Sequence, residues 1–394
     1  MKKKFACFAM AMVMVLGLAA CGGKKEEAPA AAPAESGSDS SVSVFKVGTI
    51  GPLSGDAAIY GQAVANGAKI AVDEINAAGG AIQFELQSQD DEADGEKSVN
   101  AYNTLMDWGM QVMVGPTTTG ASIAVSAQAN ADRTFMLTPS ASSVDVIDGK
   151  DNVFQVCFTD PNQGVASADY ISANMAGAKV AVIYRNDDAY SQGIRDTFVS
   201  EAADKGLEVV YEGTFTADTA TDFSVQLTGA QSAGADTVFL PIYYQPASVI
   251  LNQANAMGYE PTFFGVDGMD GILTMEGFDT SLAEGVMLLT PFSDDAEDAR
   301  TQTFVKAYQD QFGETPNQFA ADAYDAVYIY AAALEAAGCT ADMSSADICE
   351  ALVGVMTTIS VDGLTGQGMT WDASGAVSKA PMAVIIENGT YVLP

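Results

Sequence analysis

From Val44 onward, the chain alternates short apolar runs with longer stretches whose apolar side chains recur at helical spacing. The runs have the length of strands and are rich in Val, Ile and Phe. In one of the longer stretches, Val64, Ile70 and Ile75 share a face, and Gly79 follows as a helix stop signal. The pattern predicts strands at 45–50, 82–89, 111–115, 134–138, 152–158, 179–184, 207–213, 236–241, 261–266 and 285–290.

Strands that alternate with helices over this length indicate parallel sheets with helices on both faces. Two such units are predicted, from about 44 to 160 and from about 161 to 285. The last third of the chain changes to long Ala-rich helices, followed by short strand-like segments, "GMTWD" and "APMAVIIENG". We expect this last part to complete the two earlier units. The predicted fold class is therefore α/β, in two lobes.

The N-terminal segment has a different composition from the rest of the chain. Residues 1–20 combine three lysines, an apolar segment and small residues, which is typical of a secretory signal peptide. The segment "LAAC" at its end resembles a bacterial lipobox, so we expect Cys21 to be lipidated and to begin the mature chain. Residues 21–43 contain no side chain large and apolar enough to build a core, which predicts a flexible linker behind the lipid anchor.

Charge and residue types narrow the possible functions. The chain has 17 basic and 51 acidic residues, a net charge of −34, so its surface does not attract nucleic acid or anionic lipid head groups. It contains no histidine, which removes Ser/His/Asp and Cys/His catalysis and His-ligated zinc. No phosphate-binding loop or nucleophile elbow occurs either. We expect neither an enzyme nor a cofactor.

The remaining cysteines and acidic clusters carry little chemistry. Cys157 lies in an apolar strand-like run and is expected to be a small core residue. Cys339 and Cys349 can form a disulfide in an exported protein or remain two thiols, since their spacing does not fix their geometry. The segment "DDEADG" has the order of a calcium loop, but Ala101 occupies the position that requires a bidentate Glu. No metal site is predicted.

The loops after the predicted strands hold the polar groups that matter for binding. In open α/β sheets, ligands bind outside the carboxyl ends of the strands. The first unit offers hydroxyls there, in "VGPTTTGAS" and "TPSASS", whereas the second offers acids and tyrosines, in "YRNDDAYSQG", "PIYYQPAS" and "GVDGMDG". Hydroxyls and amides at a helix N-terminus suit a carboxylate, and an acid suits an ammonium group. A free amino acid fits both.

Thr119, next to Gly120, is the best candidate for the carboxylate, and Asp267 is the best candidate for the cation. Ordinary alternatives remain open, because Thr is a common helix N-cap and Asp beside Gly is a common turn residue. Tyrosines at strand ends can line the site or form its outer rim. They are Tyr60, Tyr190, Tyr243 and Tyr244.

Seven segments together resemble the branched-chain amino-acid-binding (leucine/isoleucine/valine) proteins of ABC importers. They are "VGTIGPLSGDAAIYGQAVANGAKIAVDEINAAGG", "DDEAD", "VGPTTTGAS", "LTPSASS", "FTDPNQG", "DDAYSQG" and "MTWDASG". The resemblance covers about residues 44 to 394. It implies a periplasmic-binding protein type I fold, with two Rossmann-like lobes joined by three crossover segments. Lobe 1 would comprise 44–160 and 291–365, and lobe 2 would comprise 161–290 and 366–394.

The resemblance also implies roles for individual residues. The carboxylate-binding serine of the family falls on Thr119, and a segment that offers a carbonyl and a hydroxyl to the ligand falls on Ser140 and Ser142. The ammonium-binding acid of the family is Glu, whereas here Asp267 is shorter by one methylene. Asp160, near a crossover, would assist the ammonium or the hinge.

Tyrosines of the family's pocket fall on Tyr60 and Tyr190, and a third falls on either Tyr243 or Tyr244. The implied function is an extracytoplasmic receptor, lipid-anchored to the outer face of the membrane and periplasmic if an outer membrane exists. It would act as a monomer that captures a neutral, branched-chain amino acid and delivers it to a permease. Alternatives are a receptor of the same fold for another amino acid, an amide, urea or an aromatic acid, and a sensory ligand-binding module.

Overall fold

The computed structural model describes residues 42–393, so the predicted signal peptide, Cys21 and nearly all of the linker lie outside the described residues. The first sheet has five parallel strands in the order β2-β1-β3-β4-β5. Its strands are β1 (Ser43–Gly51), β2 (Ile82–Asp90), β3 (Val112–Val114), β4 (Phe135–Thr138) and β5 (Val153–Gln155). Helices α1 (Ala58–Ala78), α2 (Gly95–Trp108) and α3 (Thr119–Asp132) connect the first four strands.

The second sheet has the order β12-β11-β10-β9-β8-β6-β7. The helices between its parallel strands and before β6 are α4 (Asp160–Asn174), α5 (Ala189–Lys205), α6 (Ser224–Ser232) and α7 (Tyr244–Met257). The parallel strands are β6 (Lys179–Arg185), β7 (Glu208–Phe215), β8 (Thr237–Leu240), β9 (Thr262–Gly265) and β10 (Met287–Thr290). Two antiparallel strands, β11 (Met382–Glu387) and β12 (Thr390–Val392), extend its edge.

Three further helices follow: α9 (Gln318–Ala337) and α10 (Ser345–Met356) pack against the first sheet, and α8 (Ala299–Phe312) packs on α1. Helix α9 lies along α1 at close range, because Gly67 allows the backbones to meet. A Cβ atom at Gly67 would lie 2.0 Å from the carbonyl oxygen of Ala320. Every residue of β3, β4, β8 and β10 is buried, as expected for parallel strands covered on both faces.

The predicted α/β class and the periplasmic-binding protein type I architecture are confirmed by this topology. All ten predicted strands are present, and the predicted strand at 152–158 is shorter, at Val153–Gln155. The described chain passes between the sheets after β5, after β10 and before β11. The sequence analysis did not predict helix α10, which begins after the N-cap Ser344 and buries Cys349 on its inner face.

The segment "GMTWD" forms bridges rather than a strand. The Trp371 indole N–H donates to the carbonyl of Gln155 at 2.8 Å, and the Gln155 N–H donates to the carbonyl of Gly375 at 2.9 Å. These bonds attach the segment to β5 of the first sheet because a buried indole needs an acceptor for its N–H. The lobe boundary at 365/366 stays a prediction, and the bonds favour a crossing closer to β11.

The thiols of the described chain are free: Cys157, Cys339 and Cys349 are all buried and unpaired. The disulfide alternative for Cys339 and Cys349 is therefore not the state of this structure. Within residues 42–393, no helix is both long and apolar enough to cross a membrane.

Candidate ligand-binding site

The carboxyl ends of both sheets meet at a small cavity, with about 260 Å³ of free space that includes solvent. The first lobe contributes Tyr60 from α1, the threonines 117 to 119 and Ser140. The second lobe contributes Tyr190, Tyr243, Asp267 and Gly268, and Phe319 comes from the first turn of α9. The hydroxyls that the sequence analysis placed in the first unit and the acid that it placed in the second thus line one cavity.

The hydroxyl-rich wall is the loop between β3 and α3, which neighbouring side chains hold in place. The Ser140 hydroxyl donates to the carbonyl of Thr117 at 2.6 Å, and the Ser122 hydroxyl donates to the carbonyl of Pro116 at 2.8 Å. Thr138 also donates to Pro116, at 2.9 Å. These buried bonds fix the path of the backbone that leads into α3.

Helix α3 begins at this wall with its positive end toward the cavity. Its first internal bond at this end joins the Ser122 N–H to the carbonyl of the N-cap residue Thr118. The preceding amides, of Thr119, Gly120 and Ala121, belong to the donors that an α-helix cannot satisfy internally. Thr119 is 1% exposed and lines the cavity, whereas Gly120 is exposed and does not. Such a helix end attracts an anion.

Asp267 forms the opposite wall, at the start of a short 3-10 turn after β9. It is 2% exposed, and its Oδ1 accepts a hydrogen bond from the Tyr190 hydroxyl at 2.6 Å. Its own N–H donates to Oε1 of Gln163 at 3.1 Å. Burial raises the pKa of Asp267 to about 7, although the bonds from Tyr190 and Gln163 act in the opposite direction.

Aromatic rings close the rest of the cavity. The ring of Tyr60 meets those of Tyr243, Tyr244 and Phe319 edge-on, with centroids 5.3, 5.0 and 4.6 Å away. The Tyr60 hydroxyl donates to the carbonyl of Gly268 and accepts from the N–H of Tyr244 at 3.2 Å, so it joins the two lobes directly. Burial raises the pKa of Tyr60 well above its usual value, which keeps this phenol neutral.

Of the two alternatives for the third tyrosine, Tyr243 lines the cavity, and Tyr244 packs behind it against Tyr60. Burial also raises the pKa of Tyr190 and Tyr243 well above the usual value for a phenol. The lining of the cavity is therefore uncharged apart from Asp267, and it combines the apolar surface of aromatic rings with several hydroxyl groups.

Ser142 and Asp160 lie one layer behind the lining. The carbonyl of Ser142 accepts from the Asp160 N–H at 2.9 Å, and its hydroxyl accepts from Nε2 of Gln163 at 3.4 Å. Asp160 is 1% exposed, and neither carboxylate oxygen has a hydrogen-bond partner among the described residues. Burial raises the pKa of Asp160 well above its usual range, and the nearby Asp267 adds to this shift.

Several residues of the site were not predicted from the sequence. Thr117, Thr118 and Gly268 adjoin residues that it named, so each lay within a quoted loop. Gln163, within "FTDPNQG", connects Ser142 of one lobe to Asp267 of the other, but no local pattern indicates that role. No sequence pattern predicted Phe319 as a site residue, because tertiary packing on α1 and on the first sheet brings α9 to the cavity.

A second, larger cavity adjoins the first at Tyr243, with about 1050 Å³ of free space that includes solvent. It lies between the lobes, and its polar lining includes the exposed Asp56 and the partly buried Arg185 and Asp188. The Asp188 carboxylate is bonded to the N–H of Ser191 as the N-cap of α5. No group of three His, Cys, Asp or Glu side chains that could hold a metal ion occurs in the described part of the chain.

Comparisons with known proteins agree with this geometry. A family model described as periplasmic binding protein matches residues 44–390. The Leu/Ile/Val-binding protein homolog 3 of Brucella melitensis is 32% identical over 311 residues, which are 78% of this chain and 82% of that protein. These matches are to solute-binding proteins and not to enzymes, in line with the expectation from the sequence.

Two solved structures superpose well on the chain. The branched-chain amino acid transporter substrate binding protein LivJ from Streptococcus pneumoniae, in complex with isoleucine, has a TM-score of 0.78 and 31% identity, covering 89% of this chain and 100% of its own. A solute binding protein of an ABC transporter from R. palustris, in complex with benzoate, also has a TM-score of 0.78, covering 89% of this chain and 95% of its own. Its identity is 22%, so it shows the fold alone.

Proposed function

The chain belongs to the periplasmic binding protein family, and on this premise we propose that it captures a branched-chain amino acid for an ABC permease. One observation carries the proposal. The N-terminus of α3 and the buried carboxylate of Asp267 lie on opposite walls of a single cavity. An anion site and a cation site that face one cavity suit the two charged ends of a free amino acid.

The carboxylate of the ligand binds at the first turn of α3. There it accepts hydrogen bonds from the unsatisfied amides and from the hydroxyl of Thr119. The lining contains no Lys or Arg, so the negative charge is met by amide and hydroxyl dipoles. Amides at a helix N-terminus bind a carboxylate in this way.

The ammonium group binds at Asp267, which the Tyr190 hydroxyl and the Gln163 side chain hold in position. A carboxylate that is 2% exposed is unfavourable without a partner, and an ammonium group supplies one. Tyr190 and Tyr243 line the cavity beside Asp267, and the negative face of an aromatic ring attracts a cation.

The side chain of the ligand meets the rings of Tyr60, Tyr243 and Phe319. These rings offer an apolar surface to an aliphatic side chain. The relatives named for leucine, isoleucine and valine, and the LivJ complex with isoleucine, support this class of side chain.

Capture is coupled to closure of the two lobes. The carboxylate site belongs to the first lobe and Asp267 to the second, so only the closed arrangement offers both sets of contacts. A ligand that binds the closed arrangement more tightly shifts the population toward it. The Tyr60 hydroxyl, bonded to Gly268 across the cleft, contributes to the closed form without the ligand.

The rest of the proposal concerns the cellular setting. A monomeric receptor, tethered to the membrane by lipid on Cys21, hands its ligand to permease subunits. A sensory module with the same site remains the alternative, and the presence of a permease partner distinguishes the two. Another small ligand is the second alternative, and the benzoate complex shows that one fold holds chemically different ligands.

A thermal-shift screen tests the function directly. Residues 22 to 394 are melted with each of the twenty amino acids and with benzoate, since a ligand at about 100 times its Kd adds about 2.7 kcal/mol to stability. We expect leucine, isoleucine and valine to raise the Tm most. A rise with benzoate and with none of the amino acids would contradict the proposal and favour an aromatic-acid receptor.

A further inference from the structure

The hydroxyl groups around the β3–α3 loop are of two kinds. Those of Ser122, Thr138 and Ser140 donate to backbone carbonyls, and that of Thr117 donates to the carbonyl of Ile50 at 3.3 Å. Each of these four stabilises the loop and is already engaged as a donor. The hydroxyl of Thr118 differs from all four.

Thr118 occupies the N-cap position of α3 with an extended backbone, at φ −93° and ψ 151°. Its side chain makes no capping hydrogen bond, although Thr in this position ordinarily accepts one from the amide two or three residues later. The residue lines the cavity and is 5% exposed. Its Oγ1 is buried without a hydrogen-bond partner anywhere in residues 42–393.

Two unfavourable features therefore coincide at one place. A buried hydroxyl without a partner is costly, and the amides that a capping side chain would satisfy stay open as well. Rotation of Thr118 into the capping position would satisfy one amide and the hydroxyl oxygen together. Thr118 stays out of the capping position. This is expected if a bound ligand forms hydrogen bonds both to the Thr118 hydroxyl and to the open amides of α3.

We propose that the Thr118 hydroxyl is a ligand-binding group that donates to the anionic end of the ligand, beside the amides at the start of α3. The inference rests on the proposed function, which supplies a ligand with a carboxylate. Its chemistry is specific, because a hydroxyl and helix amides all act as donors to an anion and the lining holds no basic side chain. Thr118 thus acts with Thr119, and the loop-fixing hydroxyls do not bind the ligand as donors.

The test is Thr118→Val, which keeps the shape of the side chain and removes its hydroxyl. We expect the Kd for leucine to rise about 10- to 100-fold, because a charge-assisted hydrogen bond is lost. The Tm of the ligand-free protein should be equal or higher, since an unpartnered buried hydroxyl disappears. The matched control is Thr134→Val, whose hydroxyl lies 2.9 Å from the Tyr102 hydroxyl, away from the cavity. It should lower the Tm and leave the Kd unchanged.

Benzoate, which has a carboxylate and no ammonium group, separates this inference from the proposed function. If wild type binds leucine and Thr118→Val binds it equally well, the inference is overturned and the function stands. If wild type binds benzoate alone and the variant binds it more weakly, the inference stands and the amino-acid function fails. A variant with a lower Tm and an unchanged Kd shows a purely structural threonine. Failure of wild type to bind either probe overturns both.

Discussion

Asp267 is a carboxylate placed almost entirely out of water, and its charge state depends on what lies beside it. In the structure its side chain accepts a hydrogen bond from a neutral phenol, Tyr190, and burial raises its pKa to about 7. A bound ammonium group stabilises the ionised form and lowers this pKa. The same residue therefore determines both how strongly a cationic group binds and how binding varies with pH.

Replacing Asp267 by Asn removes the charge and keeps the shape of the side chain. The ammonium group of the ligand would then be buried without its counter-charge, so we expect affinity to fall by about 2 to 5 kcal/mol. Isothermal titration calorimetry with leucine measures this loss. The control is Asp56→Asn at the exposed rim of the second cavity, where affinity should change less than about threefold. Equal losses in both variants would contradict the role given to Asp267.

The affinity for an amino acid should rise with pH up to about 7 and then level off. The folded, ligand-free protein holds a proton on Asp267 below about pH 7, and the ammonium group must displace that proton. The slope approaches tenfold per pH unit well below pH 7. Asp160 and Asp322 act on Asp267 as like charges, and burial raises the pKa of Asp160 as well. When they are ionised, they extend to higher pH the range over which affinity rises.

Calorimetry between about pH 5.5 and 8.5, in buffers of different ionisation enthalpy, measures the proton released from a group with a pKa of about 7. The variant Asp267→Asn should lose most of the pH dependence. A wild-type affinity that stays flat over the whole range would show that Asp267 is already ionised without the ligand. For the same reason, Asp267 lowers the stability of the ligand-free fold as pH rises from about 4 to 7.

At the scale of elements, α4 is the link between the two halves of the site. It begins directly after the chain leaves the first sheet, and its first turn carries Gln163. The amide of that side chain reaches Ser142 in one lobe and the backbone of Asp267 in the other. The position of the ammonium site relative to the carboxylate site therefore depends partly on one helical turn.

Gln163→Met removes both bonds at nearly constant volume. The buried N–H of Asp267 would lose its acceptor, so we expect the free energy of unfolding to fall by about 1 to 3 kcal/mol. Affinity for leucine should fall as well, because the hydrogen bond that holds the backbone of Asp267 in position is lost. Urea denaturation with and without leucine measures both effects. The neighbouring Asn162→Met, at an exposed position, should change stability by no more than about 0.5 kcal/mol. Equal stability of Gln163→Met and wild type would contradict the link.

Local pattern predicted the elements well and the long-range contacts poorly. Apolar runs bounded by Gly and polar loops located all ten predicted strands, because parallel strands are buried on both faces. The strand-end rule brought Thr119 and Asp267 to one cavity. Phe319 and Gln163 reach the site through tertiary packing, and Trp371 pairs with a strand more than two hundred residues earlier. No spacing within a single segment encodes such contacts.

As a whole, the molecule is a strongly acidic body whose site forms only where two lobes meet. The net charge of −34 repels anionic lipid, so a lipid on Cys21 would have to hold it at the membrane by itself. The two-lobe fold followed from the alternation of strands and helices. The order of the crossings came from the resemblance to a known family, because composition and periodicity do not determine how lobes connect.

Anchoring is tested by expressing the full chain in a bacterium and partitioning the cells in Triton X-114. We expect the mature protein in the detergent phase, because two or more acyl chains give stable membrane binding. Cys21→Ser should move it to the aqueous phase. Cys7→Ser, within the predicted signal peptide, is the matched control and should leave it in detergent. Wild type and Cys21→Ser in the same phase would contradict lipidation at Cys21.

The central claim is that one cavity recognises a carboxylate and an ammonium group at the same time. Calorimetric titration of the wild-type protein with leucine, leucinamide and 4-methylpentanoate tests it in one experiment, because each analogue lacks one charged end. The account predicts that leucine binds and that both analogues bind at least about 100-fold more weakly. Binding of 4-methylpentanoate as tight as that of leucine would show that Asp267 does not recognise an ammonium group, and would contradict the account.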